Sequence, residues 1–267
     1  MLEFSLTKSG KPFIGITINY RLSTWGFLSS CEVADSGNTN IGLRDQRLAL
    51  DWIQENIEAF GGDPQKVTIW GESAGAMSVG YHLTAYGGRN DGLFRGGIMQ
   101  SGGSISAMAQ RDETYYQDSF DALASQVGCS NSDDKLQCLR EVPFEKLNNA
   151  LNGTGGSPAY EFSPALDGDF VQTRGSAQLD KHAFIHVPII AGTNSDEGTS
   201  FGPTGINTTD QFYAYLTGMS SLTLHVSNMH FNKIPQATHP TLPSHHQRPK
   251  KSSNCTPMTH HRAFPNT

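Results

Sequence analysis

The sequence predicts an α/β fold, a mostly parallel sheet with helices on both faces, on three observations. Short apolar runs alternate with amphipathic segments up to about Thr217, which is how βαβ units read. The runs are continuous rather than alternating in polarity, as strands covered on both faces are. Gly-rich and polar turns separate them, and one of these turns lies between a strand-like run and a small-residue helix.

The elements follow in order. Phe13 to Tyr20 is apolar and β-branched and predicts a buried parallel strand. Arg44 to Phe60 places Leu48, Trp52, Ile53, Ile57 and Phe60 near helical spacing, and Gly61-Gly62 stops that helix. Asp63-Pro64 opens a turn, Lys66 to Trp70 predicts a short strand, and Ala76 to Leu83 a helix. Gly96 to Gln100 and His186 to Ala191 complete the sheet, with Pro188 tolerable near a strand's start.

Composition narrows the function classes. The 267 residues carry a formal net charge of −6 and are 36% hydrophobic. Such a chain buries one sizeable core and offers no electrostatic attraction for nucleic acid or anionic lipid. No run approaches a membrane-spanning length. Met1 to Lys11 lacks the basic and apolar regions of a signal peptide. Cys129 and Cys138 sit close together across the polar turn Ser130 to Asp134, a spacing that suits a local disulfide, the alternative being two unpaired thiols. The sequons at Asn152 and Asn207 point the same way, toward an oxidising, secretory route. From Leu222 onward there is no Asp or Glu, while seven of the ten histidines and six of the 13 prolines fall there. Residues 1–221 are therefore read as the folded domain, and 222–267 as a disordered His/Pro-rich tail. A metal-binding tail is the alternative, although its histidines lack regular ligand spacing.

The turn Gly71-Glu72-Ser73-Ala74-Gly75 has the pattern G-x-S-x-G in a strand, turn and helix setting, the nucleophile elbow of an α/β-hydrolase. Its glycines would let the turn approach its neighbours while Ser73 projects from the tip. The N–H of Ala74 would open the following helix and stabilise a tetrahedral oxyanion. Triad order in this fold is Ser, acid, His. The loop after the last strand supplies Asp196 and Glu197, and spacing alone does not choose between them.

The sequence closely resembles the type B carboxylesterases, the family of cholinesterases and fungal lipases. The resemblance lies in Asn19-Tyr20-Arg21-Leu22, Gly26-Phe27-Leu28, Gly42-Leu43-Arg44-Asp45-Gln46 and Ala49-Leu50-Asp51-Trp52-Ile53. It continues through Phe60-Gly61-Gly62-Asp63-Pro64, Val67 to Ala76 and Gln100-Ser101-Gly102. It implies a serine esterase or lipase, secreted and free of metal or cofactor, acting on a small-molecule or lipid ester through an acyl-enzyme. It also implies that Glu197 is the triad acid and that Cys129 and Cys138 close a small disulfide loop. The resemblance covers roughly Gly10 to Thr217. The family's Gly-rich oxyanion loop is not found upstream of Phe13, and no Gly-x-x-His follows Glu197. His225, His230 and His239 match no such motif. His82, His182 and His186 precede the acid and read as packing or surface residues. The chain is accordingly expected to be truncated at both ends and nearly inactive, a non-catalytic binding relative being the alternative. A serine peptidase shares the G-x-S-x-G pattern but not its Gly-Asp-Pro and Asp-Glu-Gly surroundings.

Overall fold

A computed structural model describes residues 2–6, 12–103, 111–152, 162–202 and 204–216. They fall into two compact units divided after Gly192. The tail from Leu222, with His225, His230 and His239, lies outside the described residues.

In the first unit, β1 (Leu2–Leu6) and β2 (Pro12–Ile16) form a two-stranded antiparallel sheet, with Phe4 opposite Ile14. This corrects the first predicted strand, which ends at Ile16, pairs antiparallel and stays outside the main sheet. Its sequence does not alternate cleanly, yet the strand is only half covered: Phe13 is exposed, while Ile14 and Ile16 pack against the core. A continuous apolar run therefore misread one-sided cover as burial on both faces.

Helices α1 (Ser23–Phe27), α2 (Cys31–Asp35) and α3 (Ile41–Asn56) follow. A 3₁₀ turn over Ile57–Phe60 closes α3, and Gly61 ends it at φ 78°, a left-handed position suited to glycine. The face that α3 buries is Leu43, Gln46, Arg47, Leu50 and Ile53. Of the predicted apolar stripe Ile53 and Ile57 are buried in the core, whereas Leu48, Trp52 and Phe60 are exposed. Two buried polar side chains, Gln46 and Arg47, occupy positions that a purely apolar search passes over.

The main sheet has the order β3 (Thr68–Glu72), β4 (Gly96–Gln100), β5 (Ile189–Gly192), all parallel. Helix α4 (Ala74–Gly88) crosses from β3 to β4. Apolar side chains of α3 and α4, among them Leu50, Ile53, Ala76, Val79 and Leu83, form one core cluster with Met99 of β4. On the opposite face Trp70, Ile98 and Ile190 are in register across the three strands, and Trp70 and Ile190 are exposed.

A separate core joins Val33 of α2 to α5 (Glu113–Gln126), α6 (Lys135–Glu141) and α7 (Phe144–Asn152). Cys129 belongs to that core and forms a disulfide with Cys138. Cys31 is disulfide-bonded as well, a pairing not foreseen from the sequence. Helix α8 (Gly175–Asp180) precedes β5. The second unit contains α9 (Gly198–Phe201) and α10 (Thr209–Leu216).

Several motif residues hold the segments around α3. The Arg21 guanidinium grips Asp45 with Nε and a terminal nitrogen at 2.7 and 2.6 Å. These hydrogen bonds hold the Asp45 carboxyl below its ordinary pKa. A Cβ on Gly26 would lie 2.0 Å from the Arg21 carbonyl oxygen, so the turn into α1 requires glycine. At the start of α3 the buried Asn40 donates to Ala165 O at 2.8 Å and accepts from Ala165 N–H at 2.9 Å.

Candidate active site

Strand β3 carries the chain to Glu72 and α4 starts at Ala74, which leaves Ser73 alone at the corner, exposed to solvent. Its backbone sits at φ 52°, ψ −117°, a sparsely populated conformation costing about 1–3 kcal/mol for a residue with a Cβ. The surroundings hold it there. The Ser73 N–H donates to Gln100 O at the end of β4 at 2.9 Å, and the Met77 N–H donates to Ser73 O, also at 2.9 Å.

Two glycines make this corner sterically possible. A Cβ on Gly71 would sit 2.2 Å from the carbonyl carbon and oxygen of Gly75, so β3 and the first turn of α4 meet backbone to backbone. A Cβ on Gly102 would lie 2.7 Å from Ser73 O and 2.8 Å from the Ala76 Cβ. The Gln100-Ser101-Gly102 motif therefore runs directly against the elbow, a role that spacing alone did not show. The expectation that both pattern glycines relieve a close approach needs correction at Gly75. Beyond its chain neighbours and the backbone of its own helix, no described atom lies within 4 Å of the Cβ it would carry.

Ala74 is the first residue of α4. Its N–H has no acceptor within the helix and lies at the positive end of the helix dipole. The exposed Ser73 hydroxyl and this amide thus occur on consecutive residues of the same corner.

Glu197 lies in the second unit, half-buried, where it is the N-cap of α9. Its Oε1 accepts from the Asn194 N–H at 2.8 Å, folding the carboxylate back over its own loop. Asp196 is exposed, and its main-chain oxygen accepts from the Thr199 hydroxyl at 2.7 Å. Because β3, β4 and β5 are parallel, the carboxyl ends of β3 and β5 point to the same end of the sheet, on either side of β4. Ser73 directly follows the first of these strands; the loop bearing Glu197 follows the second.

Three histidines are described. His182 and His186 are exposed. His82 is buried on α4, where its Nε2 lies 3.0 Å from Gln46 Oε1, and its Nδ1 has no hydrogen-bond partner among the described residues. Burial, aided by the Arg47 charge, lowers its pKa to about 3, so the ring is neutral at physiological pH. No group of three or more potential metal ligands occurs among the described residues.

A parallel sheet with an exposed serine at a strained strand-to-helix corner is the architecture of the α/β-hydrolase class. The sequence model of the carboxylesterase family matches residues 5–258, and the chain belongs to that family. Lipase 2 of Diutina rugosa is 41% identical over 209 residues, covering 75% of this chain and 38% of the relative. Secreted lipase 1 of Botryotinia fuckeliana is 42% identical over 219 residues, covering 78% of this chain and 38% of the relative. The crystal structure of Aspergillus niger EstA aligns with a TM-score of 0.65 at 35% identity, covering 79% of this chain and 42% of that one. The chain thus spans about two fifths of the length of these relatives. No helix among the described residues is long and apolar enough to cross a membrane.

Proposed function

We propose that the protein is a secreted carboxylic ester hydrolase that works through a serine acyl-enzyme. Ser73 is its nucleophile, the Ala74 N–H an oxyanion donor, and Glu197 the acid of the triad. The observation that carries this reading is the exposed Ser73 held at φ 52°, ψ −117° between β3 and α4. The lipases among the relatives support a small-molecule or lipid ester as substrate. The Cys129–Cys138 disulfide supports an oxidising compartment.

The Ser73 Oγ attacks the ester carbonyl, its proton passing to a histidine base, and the carbonyl oxygen becomes an oxyanion facing the Ala74 N–H. Collapse expels the alcohol, which takes that proton. Water then adds to the acyl carbon, again deprotonated by the histidine, and frees the acid and the Ser73 hydroxyl. Glu197 fixes the histidine tautomer and stabilises the imidazolium. Within residues 1–267 no histidine after Glu197 stands in a Gly-x-x-His setting. The polypeptide by itself is therefore nearly inactive, keeping only the modest catalysis that survives loss of a triad member.

Hydrolysis of a short-chain p-nitrophenyl ester by the 267-residue chain, beside Ser73→Ala and Glu197→Gln, tests this. Turnover orders of magnitude below that of an intact triad is expected. Enzyme-like turnover abolished by Ser73→Ala would show that one of the histidines present acts as the base. Where such turnover appears, its loss on Glu197→Gln together with retention on Asp196→Asn would support Glu197 as the acid.

A further inference from the structure

The elbow is held by more than its own strand and helix. Four polar groups on α3 and α4 form a continuous chain of hydrogen bonds ending at the first residue of α4. Gln46 Nε2 donates to Ser78 Oγ at 3.1 Å, and Ser78 Oγ donates to Ala74 O at 2.9 Å. At the other end Gln46 Oε1 lies 3.0 Å from His82 Nε2. Gln46 and His82 are both buried, and Ser78 is partly so.

The donor directions are fixed by counting protons. Ser78 has one hydroxyl hydrogen, and Ala74 O can only accept, so that hydrogen goes to Ala74 O. Ser78 Oγ must then accept from the Gln46 amide nitrogen, which leaves Gln46 Oε1 facing His82 and requires a hydrogen on His82 Nε2. The alternative turns the amide over and moves the ring hydrogen to Nδ1. It strips Ala74 O of its hydroxyl donor and buries an Nδ1–H with no acceptor among the described residues. The first arrangement leaves only one lone pair unpaired.

From this geometry, and resting on the assignment of Ser73 above, we infer that Gln46 is a positioning residue. Through Ser78 it fixes the carbonyl of Ala74 and thereby the first turn of α4, on which the Ser73 hydroxyl and the Ala74 N–H are carried. His82 acts behind it as the neutral donor that locks the Gln46 amide in one orientation. The rationale is local. A strained residue persists only where its surroundings over-determine it, and Ser78 reaches into the turn immediately after Ser73.

Two measurements test it without requiring turnover. In the unmodified chain, ¹⁵N NMR of the His82 ring should show hydrogen on Nε2, a bare Nδ1, and no titration between pH 5 and 8. Hydrogen on Nδ1, or titration in that range, overturns the network. Amide exchange of Gln46→Met and Ser78→Ala, read by mass spectrometry or NMR, should then accelerate about tenfold at Ser73 and Met77, the scale of one lost hydrogen bond. Amides of α5, which belongs to a different core, should be unchanged. The double variant should be no faster than either single one, because both cut the same chain. Equal acceleration throughout the first unit, or none at the elbow, overturns the inference. Failure of Ser73 to act as nucleophile would leave these exchange results intact, so the two readings fail separately.

Discussion

The elbow makes its most specific demand at Gly71. A Cβ there would stand 2.2 Å from both the carbonyl carbon and oxygen of Gly75 and 2.7 Å from the Ala76 nitrogen. These are backbone atoms in the first turn of α4, so no side chain can swing away to relieve the overlap. Overpacking of this kind costs about 1–3 kcal/mol, and a clash against backbone belongs at the upper end. Gly71→Ala should therefore lower the free energy of unfolding by about 3 kcal/mol. Gly75→Ala makes the paired control, since nothing among the described residues, beyond its chain neighbours and the backbone of its own helix, lies within 4 Å of its Cβ. Gly75 sits inside α4 without a positive φ, and alanine there should stabilise by about 0.5–1 kcal/mol. Urea denaturation of the three proteins under one condition measures both signs. The reasoning is refuted if Gly71→Ala is neutral, or if the two variants are destabilised equally.

Other predictions follow from ionisation and cross-linking. His82 has a folded pKa of about 3 against an ordinary 6.5, so the unfolded chain binds the extra proton between those values. Its contribution to stability is full above pH 6.5 and is lost by up to about 1.4 kcal/mol per unit as pH falls below it. Urea titrations from pH 7 to pH 4 should show that slope, and His82→Gln should flatten it. The Arg21 hydrogen bonds lower the Asp45 pKa below its ordinary 3.8. Stability from that pair is therefore present above pH 3.8 and lost as pH falls through the folded value. Asp45→Asn should remove about 1 kcal/mol at pH 7, discounted for the exposure of Arg21, and progressively less as pH falls below 3.8. Replacing Cys129 and Cys138 together by alanine opens a loop with sequence separation 9. The chain-entropy model puts the loss at about 2.5 kcal/mol, measurable as a lowered urea midpoint.

Much of the architecture was legible because it depends on short-range chemistry. The strand at Gly96 to Gln100 and the elbow at Ser73 are written in a few adjacent residues, and both stand where the pattern placed them. The antiparallel pairing of Pro12–Ile16 was not legible, since pairing direction is set by a partner strand that leaves no mark on the strand itself. Part of the buried face of α3 was missed because Gln46 and Arg47 are buried polar groups that are satisfied only through partners far along the chain: Ser78, His82 and Asp91. His82 read as packing from sequence; its place behind Gln46 emerges only when α3 and α4 are laid together. Gly102 carried no signal beyond its motif, because the Ser73 carbonyl it must clear lies on another strand connection.

Covalent labelling of Ser73 reaches the central claim most directly, because one stoichiometric event draws on the exposed hydroxyl and the Ala74 N–H and needs neither turnover nor a complete triad. The chain would be incubated with a serine-reactive phosphonate, digested and mapped by mass spectrometry. Slow modification, orders of magnitude below the rate of an intact triad but concentrated at Ser73 and lost in Ser73→Ala, is the predicted result. A Ser73 left unmodified while other serines react, or labelling that persists in Ser73→Ala, would contradict its role as the nucleophile.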